Sequence, residues 1–200
     1  DFRVSNGPND RRRTLPHLPS MRPNTALYHK VLVVGPPGAG KSTLAAAVAD
    51  RLTLPYSPVN WFRWQTDWKV TPASQFNRLI DGVLNQAAWV MDDNVQGREA
   101  EIWPQADCVI WLDYSLAHVL ARIARRNLSW WLTGKMIWGV NQMTLGRALG
   151  GILEAAREHG ATRRRIAPRL RESSRSQSMR FTEPHQATQW LSLLRQVDVP

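Results

Sequence analysis

Lys30-Val31-Leu32-Val33-Val34-Gly35-Pro36-Pro37-Gly38-Ala39-Gly40-Lys41-Ser42-Thr43-Leu44 is the stretch on which the reading of this chain turns. An apolar run without polar interruption breaks at Gly35. The eight residues Gly35 to Ser42 then complete G-x-x-x-x-G-K-[ST], and an alanine-rich helical pattern follows. A strand before and a helix after is the setting in which this pattern forms a phosphate-binding loop. A polyphosphate needs several main-chain N–H groups aimed inward, and the three glycines permit the backbone angles that achieve this. The open N–H groups and positive end of the following helix add to the attraction. The candidate nucleotide-binding residues are therefore Gly35, Pro36, Pro37, Gly38, Ala39, Gly40, Lys41, Ser42 and Thr43. Lys41 is placed to reach the β/γ-phosphates of ATP, and the Ser42 hydroxyl to hold Mg²⁺.

Two hundred residues with 43% hydrophobic content bound the chain to one domain with a real core, with room for a small insert. No apolar run approaches the roughly 20 residues needed to cross a bilayer. A soluble, cytoplasmic monomer is the expectation. The single cysteine, Cys108, excludes an intrachain disulfide, fits a reducing compartment and sits in a strand-like apolar run as a buried, inert thiol. The chain opens on Asp1 rather than Met, which leaves a natural start further upstream open.

The net charge of +10 is unevenly placed. Residues 31–113 carry six Lys/Arg against nine acids, whereas residues 114–200 carry fourteen against five. A lid over a triphosphate would use such an excess, and so would a nucleic-acid surface. Residues 1–27, rich in Pro, Asn and Arg, read as a disordered basic arm.

Further along, Lys30–Val34 reads as the first strand, Lys41–Leu52 as the first helix and Pro55–Val59 as a short second strand. Residues 60–69 hold Trp61, Trp64 and Trp68 at a spacing that fits neither a helix face nor a strand. They read either as a loop pinned to the core or as an aromatic wall around an acceptor. A helix from Thr71 to about Gln86 presents Phe76, Leu79, Ile80, Val83 and Leu84 on one face. Ala88–Met91 is the third strand and delivers Asp92 and Asp93 at its carboxyl end, where ligands sit in open α/β sheets. Asp92 there can complete the Mg²⁺ shell opposite Ser42; a turn or cap role is the plainer alternative, more so for Asp93.

Asp107–Asp113 is the fourth strand. Ser115 caps a helix carrying Arg122, Arg125 and Arg126, which read as phosphate clamps and purine-stacking groups or as a solvated basic face. Residues 127–145, with three tryptophans and no steady period, read as a small mobile lid. Residues 145–171 read as an arginine-rich helix that Pro168 should end or kink. Ser176–Phe181 and Pro184–Leu194 read as the last strand and a closing helix.

GPPGAGKST, WVMDDN, ADCVIWLD and VLARIARRN, in that order, resemble the adenylate-kinase-like P-loop kinases. Within them the chain is most similar to the branch labelled DNA-topology-modulation proteins. The likeness covers about residues 29–195, and the domain is drawn over 28–196. It implies an α/β, three-layer P-loop NTPase fold with a parallel five-stranded sheet, helices on both faces and a small lid. It also implies a metal-shell role for Asp92 and catalytic roles for Lys41, Arg122 and Arg126, with Arg125 as the alternative clamp. Trp64, Trp68, Trp138 and Asn141 also match the branch. The chain departs from that pattern at Asn60, where an aspartate is usual, at Asp93 and Val95, and at Ile102, Gln105 and Gln142, where arginines are common. Asn60 cannot act as a carboxylate base. The expected activity is γ-phosphoryl transfer from ATP to a small-molecule acceptor such as a nucleotide. A catalytically weakened nucleotide-binding regulator and a nucleic-acid-associated ATPase stay open beside it.

Overall fold

The computed structural model describes residues 28–92, 95, 97–138, 140–172 and 177–194. The expected arm over 1–27, Asp93 and Ser176 lie outside the described residues. The apolar run Lys30–Val34 forms β1, and Val31 to Val34 are each fully buried. A strand covered on both faces belongs inside a parallel sheet. Here β1 pairs in parallel with β3 (Trp89–Met91) on one side and β4 (Cys108–Leu112) on the other. With β2 (Tyr56–Ser57) and β5 (Gln177–Phe181) at the edges, the order is β2-β3-β1-β4-β5.

Alternation along the strands feeds two cores, because successive side chains leave opposite faces. Val31, Val33 and Ile110 join Leu44 and Val48 of α1 (Lys41–Leu52), Ile123 of α5 (Leu116–Thr133) and Trp190 of α7 (Pro184–Leu193). Leu32, Val34 and Val109 instead meet Ile80 and Val83 of α3 (Ala73–Leu84). The long α6 (Leu145–Glu172) gives Ala155 to the first core and Ile166 to the second. The result is three layers, helix on sheet on helix.

Several expectations shift in detail. The second strand is only two residues long, and Val59 already opens a short helix, α2 (Val59–Arg63). A further short helix, α4 (Glu99–Ile102), precedes β4. On α3 Leu79 is exposed, so its buried face is narrower than expected. Residues 127–133, expected to lack a steady period, continue α5 to Thr133, where Gly134 ends it with φ 60°. Asn127, buried between α5 and α6, donates from Nδ2 to the carbonyl of Ala148 at 3.2 Å and joins the two helices there. Pro168 does not end α6, which runs on to Glu172. Ser115 caps α5 as expected, its hydroxyl accepting from His118 N–H at 3.3 Å.

Candidate functional site

The loop between β1 and α1 is seated by its glycines. Gly38 lies at φ +82°, and a Cβ there would come within 2.2 Å of Ile123 Cγ1. Gly35 backs onto the end of β4, where a Cβ would meet the Leu112 carbonyl oxygen at 2.6 Å. Only a residue without a Cβ meets both demands, a left-handed backbone and direct contact with its neighbours. The turn closes with Ala39 N–H donating to Pro36 O at 3.2 Å, and Lys41 Nζ reaches back across it to the same carbonyl at 3.4 Å. Ala39 is buried, whereas Pro37, Ser42 and Thr43 are exposed at the mouth.

Helix α5 brings one arginine to this loop. Arg122 Nε donates to Gly38 O at 3.2 Å, and its guanidinium packs beside Gly40. Arg126, one turn on, stacks over Trp130 at 4.5 Å and donates to Asn127 Oδ1 at 3.2 Å. Arg125 is exposed on the same helix. Of the three candidate clamps, Arg122 is therefore the one the fold sets against the loop.

Opposite lies Asp92, almost wholly buried at the end of β3. Its Oδ1 accepts from Val59 N–H at 2.9 Å and its Oδ2 from the Tyr56 hydroxyl at 2.8 Å. The same hydroxyl lies 3.4 Å from the Ser42 carbonyl, so Tyr56 ties the acid to the loop. Burial first, and the Asp92 charge second, push the Tyr56 phenol well above its ordinary range and keep it a donor. Nothing in the sequence singled out Tyr56. It is an aromatic residue between two prolines, as a buried edge strand would also have.

Ser42, Thr43, Tyr56, Asn60, Asp92, Trp61 and Trp138 line one cleft of about 490 Å³. Trp61 and Trp138 also line an adjoining cleft of about 520 Å³ with Trp64, Gln65, Thr66, Lys69 and Val140. The two readings of the tryptophan run thus divide between its members. Trp64, Trp68 and Trp138 pack on one another with centroids 5.4–6.3 Å apart. Buried Asn141 locks them, accepting from Trp68 N–H at 2.7 Å and donating to Gln65 O at 3.1 Å. Trp61 instead is 60% exposed and turned to both clefts.

Four of the downstream arginines pair with carboxylates of the chain rather than standing over the loop. Asp113, fully buried at the end of β4, holds Arg163 at 2.8 Å and also Arg180, whose guanidinium stacks over Trp111 at 4.6 Å. Arg165 pairs with Glu158 at 3.7 Å and Arg169 with Glu99 at 3.8 Å. Arg147 lies over Trp68 at 5.1 Å.

The donors facing the inner cleft fit Mg²⁺. Ser42, Asp92 and Asn60 offer oxygen, the donor type this ion takes. Among the described residues no group of three His, Cys, Asp or Glu side chains gathers into a cage.

A family model for the ATPase family associated with various cellular activities (AAA) matches residues 31–122. Cytidylate kinases of Halobacterium salinarum and Halorubrum lacusprofundi are 33% and 34% identical over 110 residues, which is 48% of this chain and 57% of each relative. The chain thus spans little more than half the length of these curated relatives. The solved structure of a shikimate kinase from Acinetobacter baumannii in complex with shikimate superposes with a TM-score of 0.52 at 14% identity, over 84% of this chain and 91% of that one. Among the described residues no helix is long and apolar enough to cross a membrane. Motif, sheet order and these likenesses together give the chain a P-loop NTPase fold with kinases among its neighbours.

Proposed function

We propose that this chain transfers the γ-phosphoryl group of ATP to a hydroxyl-bearing small molecule. The carrying observation is that Ser42 and Thr43, in the first turn of α1 after the loop, open onto the same cleft as Asp92 and an exposed tryptophan face. A phosphoryl donor and an acceptor can therefore meet there. The loop amides and Lys41 bind the β- and γ-phosphates, and Arg122 stabilises charge on the transferring group. Ser42 and Asp92 would hold Mg²⁺, which when bound would neutralise phosphate charge. The acceptor oxygen forms a bond to the γ-phosphorus while the bridging oxygen leaves with its electron pair as ADP, and the hydroxyl proton passes to water. The cluster of Trp64, Trp68 and Trp138 with Asn141 is the feature that favours the DNA-topology-modulation branch.

A regulator that binds nucleotide without transferring phosphate is the second reading. It is favoured by Asn60, whose amide in the cleft cannot take a proton as a carboxylate would. The internal pairing of Arg163, Arg165, Arg169 and Arg180 weighs against a nucleic-acid surface. Incubation with Mg²⁺, ATP and a panel of acceptors, followed by ADP release, separates enzyme from regulator. Lys41→Ala should abolish transfer; an unchanged rate would refute the assignment.

A further inference from the structure

We infer that the acceptor is an uncharged, hydroxyl-bearing ring compound, of the nucleoside or cyclic-polyol kind, seated on Trp61 and Trp138, and not a nucleoside monophosphate. This rests on the phosphotransfer reading above and concerns the acceptor half of the same site.

The two clefts meet at Trp61 and Trp138. The inner one joins this aromatic corner to Ser42 and Asp92, so a ring lying on Trp61 shares a cleft with the end of the phosphate loop. An indole face holds flat or C–H-rich rings by stacking, without requiring charge. A monophosphate acceptor makes the opposite demand. Its group carries nearly two negative charges at neutral pH and must lie near both ATP phosphates and the Asp92 carboxylate, which calls for paired cations.

Among the described lining residues of both clefts, Lys69 is the one cation, and it is exposed in the outer cleft. Of the arginines nearest this side in the chain, Arg63 lies over the Phe76 ring at 5.5 Å with its Nε buried and without a hydrogen-bond partner, and it lines neither cleft. Arg98 is held by Asp81 at 2.5 Å and Glu101 at 2.6 Å, and donates to Asn77 O at 3.1 Å. Arg147 covers Trp68, within the tryptophan cluster rather than in either cleft. Asn60, at the inner cleft, can hydrogen-bond a hydroxyl as donor or acceptor and adds no charge.

The test compares nucleosides and cyclic polyols with their monophosphates as acceptors, in wild type and Trp61→Ala. ADP release gives turnover, and calorimetry gives ATP affinity. Trp61 is 60% exposed, so its truncation leaves the core intact. The expected result is transfer to at least one neutral ring in preference to its monophosphate, with a KM insensitive to salt. In Trp61→Ala that KM should rise about tenfold, the scale of one stacking contact, with ATP affinity unchanged. Preference for a monophosphate, or an unchanged KM in Trp61→Ala, would overturn the inference and leave phosphotransfer standing. Where ATP binds but nothing is phosphorylated, tryptophan quenching in the presence of a non-hydrolysable ATP analogue decides. Quenching by a neutral ring that Trp61→Ala abolishes supports the platform, and no quenching overturns it. Failure of ATP itself to bind would remove the phosphotransfer reading, and this inference with it.

Discussion

Gly38→Ala tests how the phosphate loop is seated. The new Cβ would stand 2.2 Å from Ile123 Cγ1 and 2.6 Å from its Cδ1. Ile123 is only 1% exposed and cannot swing away. Overpacking of this kind costs about 1–3 kcal/mol. Holding alanine at φ +82° adds about 1–2 kcal/mol, because its Cβ crowds the following carbonyl. The expected loss is about 2–5 kcal/mol, read as a shift in the urea midpoint at constant slope. The two contributions can be separated. Ile123→Ala alone should cost about 2–5 kcal/mol by leaving a cavity. Combined with Gly38→Ala it removes the clashing atoms, so the double variant should be more stable than the sum of the singles by about 1–3 kcal/mol. The backbone strain persists in both. ATP affinity should fall in Gly38→Ala and recover partly in the double variant, since Arg122 and Ile123 are neighbours on the helix that holds the loop. Additive effects, or a loss below about 1 kcal/mol in the single variant, would refute the packing argument.

Two further outcomes follow from the buried groups. Asp113→Asn removes the charge that holds Arg163 and Arg180. Both arginines are about half exposed and stay solvated, so the cost should be near 2 kcal/mol and the melting temperature should fall by about 4–8 °C; no change would make the pairing incidental. Cys108 is fully buried, and burial first, with the Asp107 charge second, raises its thiol pKa well above the ordinary value. The folded chain then keeps a proton that the unfolded chain loses above about pH 8.5, so this contribution is complete below that pH and drains away as pH rises. Stability should fall by up to about 1.4 kcal/mol per pH unit above pH 8.5, and less steeply in Cys108→Ala; identical slopes in alkaline melts would exclude the thiol as the cause.

The sequence by itself determined β1, the loop and α1 to the residue, because that unit is specified locally. An apolar run, glycines at the turn and a helical period follow one another directly between Lys30 and Leu52, so the pattern can be read without knowing which side chains it later meets. It also placed Asp92 at the carboxyl end of a strand. It did not show the helix over residues 127–133, where the side chain of Asn127 finds its partner on α6. It overcounted the arginines available to a phosphate because some of their partners also lie far along the chain. Whether an arginine meets a phosphate or a carboxylate depends on contacts such as Arg180 to Asp113, 67 positions apart, and Arg122 to Gly38, 84 apart. The three-tryptophan cluster likewise needed Asn141, 73 positions from Trp68, to set its shape and leave Trp61 facing the cleft. Local rules of period, turn and cap are written along the chain. Which side chain meets which across the sheet is decided only when the layers pack.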